Sequence, residues 1–209
     1  MIDGLFKRHI DPLWEILARP VARRFTANQV TLMGLCLVVA NAAAYLWHDS
    51  AFVFGLGLAV SFAADSLDGA VARLRHEMTA FGGYLDAVID RYQECIVLIT
   101  IAYAYDAWLP ATLALAGSLL ISYAKARVAI EVRISNDDWP DLFERQERII
   151  YLCSLLVITG VGESIFDTSL MIPGLWLFAL LTNLTSIQRI LRAKRLLQKL
   201  DAQRQQKAK

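Results

Sequence analysis

Four aspartates stand at fixed intervals in a strongly apolar stretch of the chain: Asp65, Asp68, Asp86 and Asp90. Ionised side chains are costly inside a bilayer and mark functional sites there, and carboxylates crowded in a low dielectric repel one another unless cations intervene. On helices, Asp65, Asp68 and Ala72 share a face, as do Gly82, Asp86 and Asp90, because residues three or four apart stack on one side. The short polar turn from Leu74 to Ala80 lets two antiparallel helices bring these faces together. The expected result is a four-carboxylate pocket of hard oxygen ligands for two divalent cations, Mg²⁺ or Mn²⁺. Such two-metal sites stabilise the attacking and leaving oxygens of a phosphoryl displacement.

Small residues beside the acids, Gly69, Ala72 and Gly82, leave room for a ligand to approach the helix backbone, and Arg73 can meet a phosphate or a carboxylate. A second constellation is cationic. Ser122-Tyr123-Ala124-Lys125-Ala126-Arg127 ends one apolar run, Glu144-Arg145-Gln146-Glu147-Arg148 opens the next, and Gln188-Arg189 closes the last. Lys125, Arg148 and Arg189 are therefore expected to converge on an anionic group, against the plainer reading that each is an interfacial anchor.

The elements that must position these groups are membrane helices. Of the 209 residues 56% are hydrophobic, above the roughly 45–50% of soluble domains, and they fall in six runs: Val30 to Trp47, Ala51 to Arg73, Phe81 to Tyr105, Trp108 to Ile130, Phe143 to Val161 and Met171 to Ile190. A helix needs about 20 residues to cross the hydrocarbon, and the second and fifth runs reach that only by including polar ends. Those ends should line a cavity. The expected fold is an all-α integral membrane protein, with a six-helix catalytic domain over residues 29–190, an amphipathic juxtamembrane helix over 1–28 and a basic cytosolic tail over 191–209.

The amino-terminal segment reads as an interfacial helix rather than a signal peptide, because cations interrupt its apolar residues. Asp11-Pro12 supplies its start, and Leu13, Trp14, Ile16 and Leu17 its apolar face. Asn28 and Thr31 open the first span with capping chemistry. With the amino terminus inside, the outer loops His48 to Ser50, Asp106 to Ala107 and Gly162 to Leu170 hold none of the 21 basic residues. The positive-inside rule then places both termini and the four acids on the cytosolic side of the cytoplasmic membrane. Net charge, at +1, carries no signal for a nucleic-acid partner. Cys36, Cys95 and Cys153 lie far apart in apolar runs and read as small core residues.

From Asp65 to Asp90 the residues fill every defined position of D-x2-D-G-x2-A-R-x8-G-x3-D-x3-D. The chain thereby resembles the CDP-alcohol phosphatidyltransferase family, and the likeness extends to the Asn28-x-x-Thr31-x-x-Gly34 opening of the first span. The resemblance implies a homodimer in the bilayer that moves the phosphatidyl group of a CDP-lipid, such as CDP-diacylglycerol, to an alcohol and releases CMP. It assigns the metals to Asp65, Asp68, Asp86 and Asp90, and the CDP-lipid to Asn28, Thr31, Asp68, Gly69, Ala72, Arg73 and Gly82. Asp90 is the carboxylate expected to take the acceptor's proton, by that likeness and because the attacking hydroxyl must lose one. Ser-Tyr-x-Lys-Ala-Arg, Glu-Arg-x-Glu-Arg and the terminal Gln-Arg resemble the branch that makes phosphatidylinositol phosphate, which implies that Ser122, Lys125, Arg148 and Arg189 bind the phosphate of inositol phosphate. Two departures from that branch stand out: Val128-Ala129-Ile130-Glu131 replaces a direct Ala-Glu after Arg127, and Gln146 replaces a common Pro.

Glycerol 3-phosphate remains the rival acceptor, since three cations would recognise its phosphate equally. An intramembrane prenyltransferase would carry two widely separated Asp motifs, whereas both motifs here lie between Asp65 and Asp90. A divalent-cation transporter would place its carboxylates near the midplane on broken helices, and these lie near one face beside cations.

Overall fold

A computed structural model describes residues 14–132, 141–166 and 169–207, all helix and short turns with no strand among them. Asp11-Pro12, Leu13 and the polar segment 133–140 lie outside the described residues. The helices are α1 (14–22), α2 (Ala27–His48), α3 (Ala51–Asp65), α4 (Leu67–Leu74), α5 (Ala80–Ala104), α6 (Trp108–Ala129), α7 (Arg145–Phe166) and α8 (Met171–Lys207). Four segments are long and apolar enough to cross a membrane: α2, α3 with α4, α6 and α8. Helices α5 and α7 are of spanning length, at 25 and 22 residues, but they carry the ionisable groups. The chain is a multi-pass membrane protein.

Packing closes the long helices into a ring in which α2 touches α3, α3 touches α7, α7 touches α8, α8 touches α6, α6 touches α5 and α5 returns to α2. Its apolar interior is built from Val38, Phe54, Leu58, Val97, Ile101, Leu156, Leu175 and Phe178, all fully buried. Lipid-facing positions stay apolar, as with Leu37, Val60, Leu113 and Leu180, because hydrocarbon needs no polar covering. Helices α6 and α8 approach closely, and a β-carbon on Gly117 would stand 2.6 Å from Thr182 Oγ1. A small residue here brings the two backbones together, the usual device of membrane helix pairs.

Four local features differ from the sequence reading. Helix α2 is capped by Thr26, not by Asn28 or Thr31: the Thr26 hydroxyl accepts from Gln29 N and Gln29 Oε1 accepts from Thr26 N, a capping box. The second apolar run breaks at Ser66, whose hydroxyl donates to Phe62 O at 2.9 Å, a bond that competes with helix continuation. Asp65 therefore ends α3 while Asp68 lies in the first turn of α4. In α1 the apolar residues divide: Trp14 packs with Ala18 and Val21 against α2 and α4, while Ile16 and Leu17 stay exposed. Arg75 latches this helix, donating from Nη1 to Ala22 O at 2.7 Å and from Nε to Glu77 Oε1 at 2.9 Å. Finally, the basic tail continues α8 as helix to Lys207, where Arg204 reaches Glu131 at 3.6 Å.

Candidate active site

Asp65, Asp86 and Asp90 come together inside the ring, each offering a carboxylate oxygen within 4.8 Å of the others. The kink at Ser66 aims Asp65 inward, and the i, i+4 spacing on α5 stacks Asp86 and Asp90 beneath one another. Gly34 permits the arrangement, because a β-carbon there would collide with Asp65 Oδ1. Asp68 lies outside that trio, in the wall of the adjacent cavity with Asp86. Its Oδ2 accepts from Thr31 Oγ1 at 2.7 Å and its Oδ1 from the Gly69 amide. Three of the four expected acids thus form one cluster, with the fourth turned toward the adjacent cavity.

That cavity, about 370 Å³, lies between the start of α2, helix α4 and the start of α5. Its walls include Asn28, Thr31, Asp68, Gly69, Ala72, Arg73 and Gly82, with Asp86 at its inner end. Met78, Thr79 and Glu77 from the α4–α5 turn complete it. Thr79 caps α5 by accepting the Gly82 N–H at 3.0 Å, and a β-carbon on Gly82 would press to 3.3 Å from Asn28 Oδ1. At Gly69 a β-carbon would meet nothing nearer than Arg73 Nη1 at 3.7 Å, so Gly69 opens onto free space. Glu77, ion-paired with Arg75 at 2.8 Å, has its carboxyl held below the usual range by the hydrogen bond from that guanidinium.

The cluster also holds a cation that the spacing argument passed over. Arg145 Nη2 donates to Asp65 Oδ2 and to Gln93 Oε1, both at 3.2 Å, and pairs with Asp90. Asp90 has a second guanidinium at 3.7 Å, that of Arg91. Among the described residues Asp65 Oδ1 is buried without a hydrogen-bond donor, and Asp90 Oδ1 is the oxygen that Arg145 pairs with. An unfilled carboxylate oxygen in an all-oxygen set fits a hard divalent cation, and the guanidinium beside it shows that the cluster holds positive charge. Arg145 was visible as the first arginine of Glu-Arg-x-Glu-Arg, three residues before Arg148 on the same face.

The expected acceptor-binding residues lie along α6, α7 and α8 at the same end. Ser122 Oγ accepts from Arg91 Nη1, and Lys125 is half-buried one turn on. Arg148 and Arg189 are deeply buried and gripped by carboxylates. Arg148 Nε and Nη2 donate to Glu94 Oε1 and Oε2 at 2.7 and 3.3 Å, and Arg189 donates twice to Asp141 Oδ2. Glu94 follows Asp90 by one helical turn, a spacing that could have flagged it. Asp141 precedes an apolar run and carries no periodic signal.

The sequence profile of the CDP-alcohol phosphatidyltransferase family matches residues 24–181. The chain is 33% identical over 192 residues to the archaetidylinositol phosphate synthase of Methanothermobacter thermautotrophicus, covering 90% of this chain and 89% of the relative. Its fold is similar to that of the Mycobacterium tuberculosis phosphatidylinositol phosphate synthase crystallised with CDP-DAG bound, with TM-score 0.74, 28% identity and coverage of 87% of this chain and 94% of that one. A second crystal structure of that enzyme, in complex with manganese and citrate, matches with TM-score 0.71, 29% identity and coverage of 84% and 88%.

Proposed function

The chain belongs to the CDP-alcohol phosphatidyltransferase family, and on that premise we propose that it transfers the phosphatidyl group of CDP-diacylglycerol or a related CDP-lipid to a hydroxyl of inositol phosphate, releasing CMP. The observation that carries this reading is the continuity of the site. A cavity walled by Asn28, Thr31, Gly69, Ala72, Arg73 and Gly82 runs to Asp68 and Asp86, and from there to the cluster of Asp65, Asp86 and Asp90. A donor nucleotide in the cavity would set its pyrophosphate against the carboxylates.

Asp65, Asp86 and Asp90, with Asp68 from the cavity side, are the residues that would hold the metal, as two Mg²⁺ or Mn²⁺ ions. Bound there, divalent cations would supply charge neutralisation of the phosphate oxygens and of the departing CMP. The remaining work falls to the chain itself. Thr31 orients Asp68 through its 2.7 Å hydrogen bond. Gly69 and Gly82 keep the cavity open where the nucleotide approaches the backbone. Asp90, buried within the cluster, takes the proton of the attacking hydroxyl. Ser122, Lys125, Arg148 and Arg189 bind the acceptor phosphate, which fixes the hydroxyl for in-line attack.

The same reading gives six spans, with α5 and α7 crossing alongside the four apolar segments because their ionisable residues face the ring interior. Residues 1–28 lie on the inner leaflet, 29–190 form the catalytic domain, and 191–209 carry the basic tail against anionic lipid. Both termini and the site face the cytosol across the cytoplasmic membrane, and the protein works as a homodimer.

The test gives purified protein, CDP-diacylglycerol and Mg²⁺ a panel of inositol phosphate, glycerol 3-phosphate, inositol and serine, and measures CMP release. Inositol phosphate is expected to be preferred. Preference for an unphosphorylated alcohol would refute the acceptor assignment, and no CMP release with any acceptor would refute the reaction.

A further inference from the structure

The two arginines at the acceptor end are held in matching ways. A carboxylate takes Nε and Nη2 of each, Glu94 for Arg148 and Asp141 for Arg189. A main-chain carbonyl takes Nη1 of each, Phe143 O at 3.3 Å for Arg148 and Ile121 O for Arg189. A guanidinium has five N–H groups, so among the described residues these bonds leave two on each arginine. Both arginines are buried, at 2% and 7% exposure, and the Asp141 side chain is wholly buried. Burying an ion pair adds little stability over apolar residues of similar volume, so two of them at one end of the ring ask for another explanation. The surroundings supply it: Arg91, bonded to Ser122, interacts with Glu94, Arg148, Asp90 and Arg145. Arg148 therefore adjoins both the carboxylate cluster and the serine expected at the acceptor, and Arg189 is bonded to Ile121, the residue before that serine.

Resting on the acceptor reading above, we propose that Glu94 and Asp141 are positioning residues. Each locks one arginine in a single rotamer and leaves two N–H groups free to meet an incoming phosphate. The carboxylates also cancel the charge of those arginines. Phosphate recognition there consequently depends on aimed hydrogen bonds more than on net charge, which favours a ligand of fixed shape over any passing anion.

The test compares Glu94→Gln and Asp141→Asn with the parent in full-length protein. Either variant keeps the side chain's size and removes its charge: Glu94→Gln leaves one acceptor oxygen where Arg148 has two, and Asp141→Asn turns the two charge-assisted bonds that Arg189 makes to Oδ2 into weaker neutral ones. Each is expected to raise the KM for inositol phosphate by about tenfold or more, the loss of one charge-assisted contact, and to leave the KM for CDP-diacylglycerol at the parent value. In an Arg148→Ala background, Glu94→Gln is expected to raise the acceptor KM no further, because its effect passes through that arginine. Should Glu94→Gln fail to fold, Glu94→Asp decides. It keeps the charge but is one methylene too short for both bonds, and it is expected to give a smaller rise in acceptor KM alone. An unchanged acceptor KM in the folded variants overturns the proposal, as does an equal rise in both KM values. A parent enzyme that prefers a neutral alcohol defeats the acceptor reading and this proposal together, whereas phosphate preference with an unmoved KM defeats this proposal only.

Discussion

Gly69→Leu separates the donor cavity from the fold. Among the described residues a β-carbon at this position meets only Arg73 Nη1, at an unstrained 3.7 Å, so a leucine side chain starts without a clash and is directed at the 370 Å³ space that Gly69 lines. Position 69 lies within α4, where glycine costs up to about 1 kcal/mol relative to a good helix former. The variant is therefore expected to be as stable as the parent or to gain as much as about 2–4 °C in Tm. Four added carbons compete with the nucleotide for the cavity, and forcing extra methylenes into filled space costs about 1–3 kcal/mol. That corresponds to a rise of roughly 5- to 150-fold in the KM for CDP-diacylglycerol. Thermal unfolding in detergent gives the first quantity, and CMP release against donor concentration at saturating acceptor gives the second. Parent-like donor KM in this variant would remove the cavity from the donor site. A drop in Tm would show that the space at Gly69 is needed for packing.

Asp65→Asn is expected to abolish CMP release and to weaken Mn²⁺ binding, read by titration against an electron-spin signal, with the helical fold retained; full CMP release by folded protein in excess chelator would contradict the metal assignment altogether. Asp90→Asn should lower kcat by roughly 10²-fold or more, the scale of general-base catalysis, while donor binding measured at equilibrium stays near the parent value; a kcat within a few fold of the parent would take Asp90 out of that role. Arg189→Ala leaves Asp141 buried with Arg192, at 3.8 Å, as its remaining ionic partner among the described residues, and orphaning a buried charge costs about 3–5 kcal/mol, so this variant should lose Tm as well as acceptor affinity, whereas an unchanged Tm would show that water reaches Asp141.

The carboxylate motif and the lining of the cavity were legible in the sequence because both are local. Asp68, Gly69, Ala72 and Arg73 sit within two helical turns, Gly82 and Asp86 follow across a short turn, and helical periodicity alone puts each group on one face. Asn28 and Thr31 joined them through the resemblance at the start of the first span. Apolar runs likewise marked every long helix, since a membrane helix must be apolar over most of its length. What periodicity leaves open is which helix stands opposite a given face, and how a charged group is answered from across the ring. Arg145 meets Asp65 across 80 positions of chain, Arg148 meets Glu94 across 54, and Arg189 meets Asp141 across 48. Those partners follow from the closure of α2, α3, α7, α8, α6 and α5 into a ring, together with the break at Ser66 that turns Asp65 and Asp68 to different sides. The sequence determined which residues could carry charge at one end of the helices; only the tertiary structure decided which of those charges are already spoken for, because a buried charge must find its counter-ion in whatever helix packing brings beside it.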